Sequence, residues 1–187
     1  GGAAGYGEQS FRSAAVSGTL DDGFVAVNIT SVFGAEGAHI NGTAFQSIFI
    51  SSNGLITFQS GVTTPSGSSL TALGQPSLAP FWTDTDLNRG GDIFWDLDPG
   101  TGRVTITWLN VAAKTGPGTN SFQVVLTATG AGDVSVDYIY ESIGYTAGAT
   151  TQATAGFSNG VTQTLTPGSG DAVSLSNYAN ANLGTND

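Results

Sequence analysis

Between Asp92 and Tyr140, apolar residues recur at every second position in four successive runs. Asp92-Ile93-Phe94-Trp95-Asp96-Leu97 leads into Asp98-Pro99-Gly100-Thr101-Gly102, where proline presets φ and glycine takes the strained position. Arg103 to Leu109 then sets Val104, Ile106 and Trp108 on one face. Ser121 to Thr127 is the next run. Gly130-Ala131-Gly132-Asp133 turns the chain, and Val134, Val136, Tyr138 and Tyr140 share a face after it. Three successive strands with short turns predict an antiparallel meander. Further strands are predicted over 24–29, 47–50 and 55–58, with two late ones around Ala153–Phe157 and Ala172–Leu175. Asn53-Gly54, between two apolar runs, predicts a tight hairpin because both residue types tolerate positive φ. No segment keeps a helical period over three turns. The expected fold class is all-β: an antiparallel β-sandwich of two packed sheets with meander and hairpin connections and little or no helix.

The 187 residues suffice for one such domain, expected over 20–187. Residues 1–19, rich in Gly, Ala and Ser, read as a flexible arm or a loosely attached first strand. Without cysteine there is no disulfide framework and no thiolate chemistry. Four cations (Arg12, Arg89, Arg103 and Lys114) face 14 acids, for a net charge of −10. Such a surface argues against nucleic acid or an anionic membrane as partner and attracts cations such as Ca²⁺. No apolar run is long enough for membrane insertion. Few lysines, no sulfur and abundant Thr, Ser and Gly fit a secreted or cell-surface protein of bacterial type. The absence of methionine, even at position 1, suggests a chain that begins after processing or an excised fragment.

The segment Ala79-Pro80-Phe81-Trp82-Thr83-Asp84-Thr85-Asp86 reads as a buried structural corner or as a ligand site. Asp84 and Asp86 lie two apart, so on a strand both carboxylates face one side, and hard oxygen ligands suit Ca²⁺. They are the candidate metal ligands; the competing reading is that they finish a turn. Asp21, Asp22, Asp92, Asp96 and Asp98 reach them only through tertiary folding. Phe81, Trp82, Trp95 and Trp108 fit the core better than a carbohydrate platform. The single histidine, His39, reads as a loop or edge residue rather than a catalytic base, and Glu36 and Glu141 have nothing else to mark them as an acid/base pair. Asn28-Ile29-Thr30 and Asn41-Gly42-Thr43 match the N-glycosylation acceptor pattern. No residue set points to catalysis, and the expectation is a protein that is not an enzyme.

Several segments, in order, resemble one family. Ser51-Ser52-Asn53-Gly54-Leu55-Ile56-Thr57-Phe58 resembles the "NGLISF" hairpin of nidogen-like (NIDO) domains, and 76–86 is similar to their "APFWAD-D" segment. Gly91 to Trp95, Thr107 to Val111, Asn120 to Leu126 and Ala155 to Gly160 resemble the elements that follow, so the likeness is strongest over 45–160. It implies an extracellular, non-catalytic module of adhesive or matrix proteins. The partners expected are other extracellular proteins or surfaces, copies of itself, or glycans. Two alternatives stand beside this. In one, the chain is a filament subunit that polymerises by β-strand addition of its N-terminal arm to a neighbour. In the other, it is a carbohydrate-binding module or glycan-acting enzyme.

Overall fold

The computed structural model describes residues 5–67, 69–179 and 181–185. Its strands are β1 (Gln9–Ser10), β2 (Ser17–Gly18), β3 (Gly23–Asn28), β4 (Ala38–Ile40), β5 (Thr43–Phe45), β6 (Ser47–Ser51), β7 (Leu55–Thr57), β8 (Pro76–Trp82), β9 (Asp92–Asp98), β10 (Arg103–Ala112), β11 (Thr119–Gly130), β12 (Asp133–Ile143), β13 (Thr154–Asn159) and β14 (Gln163–Leu165). Two short helices, α1 (Thr30–Phe33) and α2 (Ala172–Ser176), complete the regular structure apart from two 3₁₀ turns. One sheet runs β1-β9-β10-β11-β12, the other β14-β13-β8-β7-β6-β3-β2, and β4-β5 is a separate hairpin. All pairings are antiparallel.

The predicted three-strand meander is present and extends to four strands, β9 to β12. Its inward residues Val104, Ile106, Trp108, Phe122, Val124 and Leu126 are all buried against Val25, Val27, Ile48, Ile50 and Ile56 of the other sheet. The Trp108 ring stacks on Phe122 at 5.0 Å, and its Nε1 donates to the Ser51 carbonyl at 3.2 Å. Two tyrosines of β12 tie the sheets together. Tyr138 Oη donates to the Gly156 carbonyl at 2.7 Å and Tyr140 Oη to the Pro80 carbonyl at 2.6 Å.

The Pro-Phe-Trp segment forms a strand, although proline removes a ladder donor. Between the pairs Ala79↔Gly156 and Trp82↔Thr154, β8 advances three residues while β13 advances two, so β8 carries a bulge that contains Pro80. Pairing with β7 has already ended at Leu78. The extra residue also changes which side chains share a face. Leu78 and Phe81 enter the main core, whereas Ala79 and Trp82 join Leu55 and Leu70 in a second cluster. The 61–74 loop covers that cluster, and Trp82 Nε1 donates to Thr64 O at 3.1 Å. Phe81, Trp82, Trp95 and Trp108 are therefore core residues, none more than 5% exposed.

The structure corrects one predicted strand. Ala172–Leu175 lies in α2, not in a strand. Asp171 caps this helix by accepting the Ser174 N–H at 2.8 Å, and one residue of the turn, Leu175, is buried. The hairpin signal also lands differently. Asn41-Gly42 forms the two-residue turn with both φ positive (50° and 79°), between Ile40 and its partner Thr43. At Asn53-Gly54 the loop has three residues, Ser52 to Gly54, and only Gly54 is left-handed, at φ 77°.

Both ends of the described stretch lie along the meander sheet. Gln9 and Ser10 pair with Trp95 and Phe94, and Phe11 is fully buried. Residues 1–4 lie outside the described residues. At the other end, Ala181 N donates to Tyr140 O at 3.2 Å, and Gln123 exchanges two hydrogen bonds with Gly184, at 2.9 and 3.2 Å.

Candidate functional site

Four loops meet at one end of the sandwich. They are the β2–β3 turn with Asp21 and Asp22, the Ser52–Gly54 loop, the stretch after β8 from Thr83 to Asp86, and the 144–152 loop with Tyr145 and Gly148. Asn53 joins the first three and is fully buried. Its carbonyl accepts the Thr83 N–H at 3.1 Å, its Oδ1 accepts the Thr85 N–H at 2.7 Å, and its Nδ2 donates to Asp22 Oδ1 at 2.9 Å. Thr85 Oγ1 reaches Tyr145 Oη at 3.0 Å, and burial pushes that phenol well above its ordinary range. The Asp84 carbonyl accepts the Lys114 N–H at 3.1 Å, and Gly148 N donates to Thr83 Oγ1 at 2.8 Å.

This scaffold gathers four carboxylates around one cation. Asp21, Asp22 and Asp84 each place an oxygen within 4.8 Å of the others. Lys114 Nζ pairs with Asp21 Oδ2 and lies 3.4 Å from Asp86 Oδ2. The two sequence candidates thus have different surroundings. Asp84 points into the acidic trio, and Asp86 is held by Lys114 and by the N–H and Nδ2 of Asn88, both at 2.9 Å. Among the other acids, Asp92 accepts the Arg12 N–H at 3.3 Å and Asp98 closes its turn onto Thr101, so neither joins the cluster. Lys114 carried no sequence signal, because its approach depends on the β10–β11 connection folding back over Asp84. His39 lies far from these groups in β4, 3.5 Å from Glu36.

The electrostatics follow from that placement. Burial, then the neighbouring Asp22 and Asp21, hold the Asp84 carboxyl above the usual 3.8, with Lys114 offsetting part of the effect. At Asp86, burial also raises the value, but the Asn88 hydrogen bonds and Lys114 together outweigh it and hold the group below 3.8. Asp21 Oδ1 and Asp84 Oδ1 are buried without a hydrogen-bond partner. Two such oxygens beside a third carboxylate form a hard-oxygen donor set of the kind a divalent cation takes.

A pH dependence follows. A raised Asp84 means ionisation is disfavoured in the folded state, so stability increases as pH falls from neutral through the folded Asp84 pKa. A lowered Asp86 contributes stability that is present above 3.8 and lost as pH falls below it, as do Asp98 and Asp171. Melting curves in chelator are expected to show a rise and then a fall on acidification. Asp84→Asn should flatten the rise and leave the fall; an unchanged rise in that variant would refute the assignment.

The model of the family described as NIDO related matches residues 9–187. The chain belongs to the NIDO-related family. This NIDO-related chain is also 27% identical over 168 residues to "Dendrite extension defective protein 1" of Caenorhabditis elegans, an alignment covering 76% of this chain. The chain spans 15% of the length of that relative. No solved structure gives a significant match. Among the described residues, no helix is long and apolar enough to cross a membrane.

Proposed function

We propose that this NIDO-related domain is a non-catalytic adhesion or matrix module, secreted or held at a cell surface, that acts by binding proteins or surfaces. The observation that carries the reading is the family match across nearly the whole sandwich, beside a relative named for a defect in dendrite extension. The packing supports it: Phe81, Trp82, Trp95 and Trp108, the candidate sugar platform, are buried in the two cores. The bacterial assignment rests on composition alone. The test is retention of purified protein on matrix-coated or cell surfaces, against an unrelated β-sandwich of equal charge. Saturable binding above the control is expected, and equal retention would sink the reading.

Two further readings have their own observations. A filament built by strand addition needs β1 to exchange between copies, because Gln9 and Ser10 already pair with Trp95 and Phe94. Calcium at Asp84, with Asp21 and Asp22 rather than Asp86 as the nearest co-ligands, is supported by the two buried, unpartnered oxygens. Ca²⁺ is then expected to raise the melting temperature over that in chelator, and Asp84→Asn to abolish the increment. No increment in the native protein would remove the metal from the reading.

A further inference from the structure

Strand β12 is the outer strand of the meander sheet and is laddered with β11 alone, with β4 packed against its first residues. Two tertiary contacts fix which of its backbone groups point outward: the Gly132 carbonyl accepts the His39 N–H at 2.8 Å, and the Tyr140 carbonyl accepts the Ala181 N–H. Backbone groups alternate sides along a strand, and the register with β11 is unbroken from Val134 to Tyr140. The N–H and C=O groups of Val134, Val136 and Tyr138 therefore face away from β11. Among the described residues, no backbone hydrogen bond reaches them from elsewhere in the chain. The open stretch is about 15 Å long at 3.3 Å per residue.

The two faces of this edge differ in chemistry. Inward, Val134, Val136 and Tyr138 line a cleft of about 480 Å³ together with Ile40, Leu78 and Phe157, and with His39 and Asn41 among its polar lining. Val136 is 37% and Phe157 50% exposed at its mouth. Outward, Asp133 and Asp137 stand on the opposite face, and Glu141 follows at the bulge; all three are exposed. Arg103, in the same surface hollow as Asp137, is the one cation near them among the described residues. Arg12, Arg89 and Lys114 are committed to contacts elsewhere.

That pattern disfavours a second copy as the occupant. Antiparallel pairing of two β12 edges centred on Asp137 sets Asp137 against its own copy and Asp133 against Glu141, and every other symmetric register still places both copies' Asp133 and Asp137 along one face. It also disfavours the N-terminal arm, whose first nine residues contain no cation. An extended segment with Lys or Arg alternating with aliphatic residues meets both faces: its cations lie beside the three carboxylates and its aliphatic side chains enter the cleft.

We propose that the Val134–Tyr138 edge of β12 is a strand-addition site for such a cationic extended segment of a partner protein. The proposal rests on the binding-module reading and names the partner's chemistry. The experiment uses the full chain with three labelled peptides of about nine residues, matched to a typical strand: one alternating lysine and valine, one alternating glutamate and valine, and the first peptide N-methylated at alternate backbone positions. The Lys/Val peptide is expected to bind, and to weaken by about tenfold or more as salt rises from about 0.05 to 0.5 M. The N-methylated form should not bind, since it cannot extend the ladder. A variant carrying Asp133→Lys, Asp137→Lys and Glu141→Lys should lose the Lys/Val peptide and take the Glu/Val peptide. If that variant does not fold, Asp137→Asn should still weaken Lys/Val binding and increase its salt tolerance. Absence of Lys/Val binding, equal binding of the N-methylated peptide, indifference to the charge changes, or a native dimer joined through β12 would each overturn the proposal. Loss of peptide binding in a protein still retained on matrix surfaces would remove the edge assignment and leave the module reading standing.

Discussion

Asn53→Ala is expected to destabilise the domain by about 2–4 kcal/mol, the range for removing a buried hub and leaving its partners unpaired. The side chain links Asp22, on the β2–β3 turn, to the Thr85 amide, on the segment after β8. Alanine leaves the Thr85 N–H buried with no acceptor and strips Asp22, which already sits beside Asp21 and Asp84, of its Asn53 donor. Chemical denaturation gives the magnitude. Hydrogen exchange at the Thr85 amide gives the mechanism: that amide should lose protection more than those of the β10–β11 ladder. A loss below about 0.5 kcal/mol, the level of an ordinary surface substitution, would show that Asn53 does not hold these loops together.

Gly148→Ala is expected to cost about 3 kcal/mol or more, because the new methyl meets backbone rather than a movable side chain. A Cβ at Gly148 would stand 1.5 Å from the Asp84 carbonyl oxygen. To admit it, the 144–152 loop must withdraw from Asp84. That breaks the Gly148 N to Thr83 Oγ1 bond and the Thr115 N to Gly148 O bond, both 2.8 Å. The carboxylate cluster should open with it, so any Ca²⁺-dependent rise in melting temperature should be lost together with stability. A variant as stable as the native chain would mean that the close approach of these loops is not required.

The β strands were legible because a sheet face repeats every two residues, a pattern local to each strand. Val104, Ile106 and Trp108 announce their common face without any knowledge of what covers it, and β9 to β12 follow the predicted runs closely. Where local and tertiary terms compete, the pattern misleads. Ala172 to Leu175 looks like a short strand, but no neighbouring strand accepts it, and the Asp171 cap favours a helical turn. Asn53-Gly54 looks like the ideal two-residue hairpin, yet its asparagine is drawn into bonds with Asp22 and Thr85, and the two-residue turn forms at the solvent-exposed Asn41-Gly42 instead.

The candidate site shows the same division. That Asp84 is a carboxylate beside a strand of large aromatics was readable from the chain. That its companions are Asp21 and Asp22, some sixty residues earlier, while Asp86 turns to Lys114, was not. Composition, alternation and turn residues by themselves determined an all-β chain with an antiparallel meander, an acidic surface and no cysteine chemistry. The tertiary structure alone decided that Phe81 and Trp82 enter different cores, which carboxylates share a site, and which strand edge stays open. The physical reason is range. Strand periodicity comes from backbone geometry within a few residues, whereas burial on a second face, the field at a carboxylate and the exposure of an edge depend on what distant segments bring alongside.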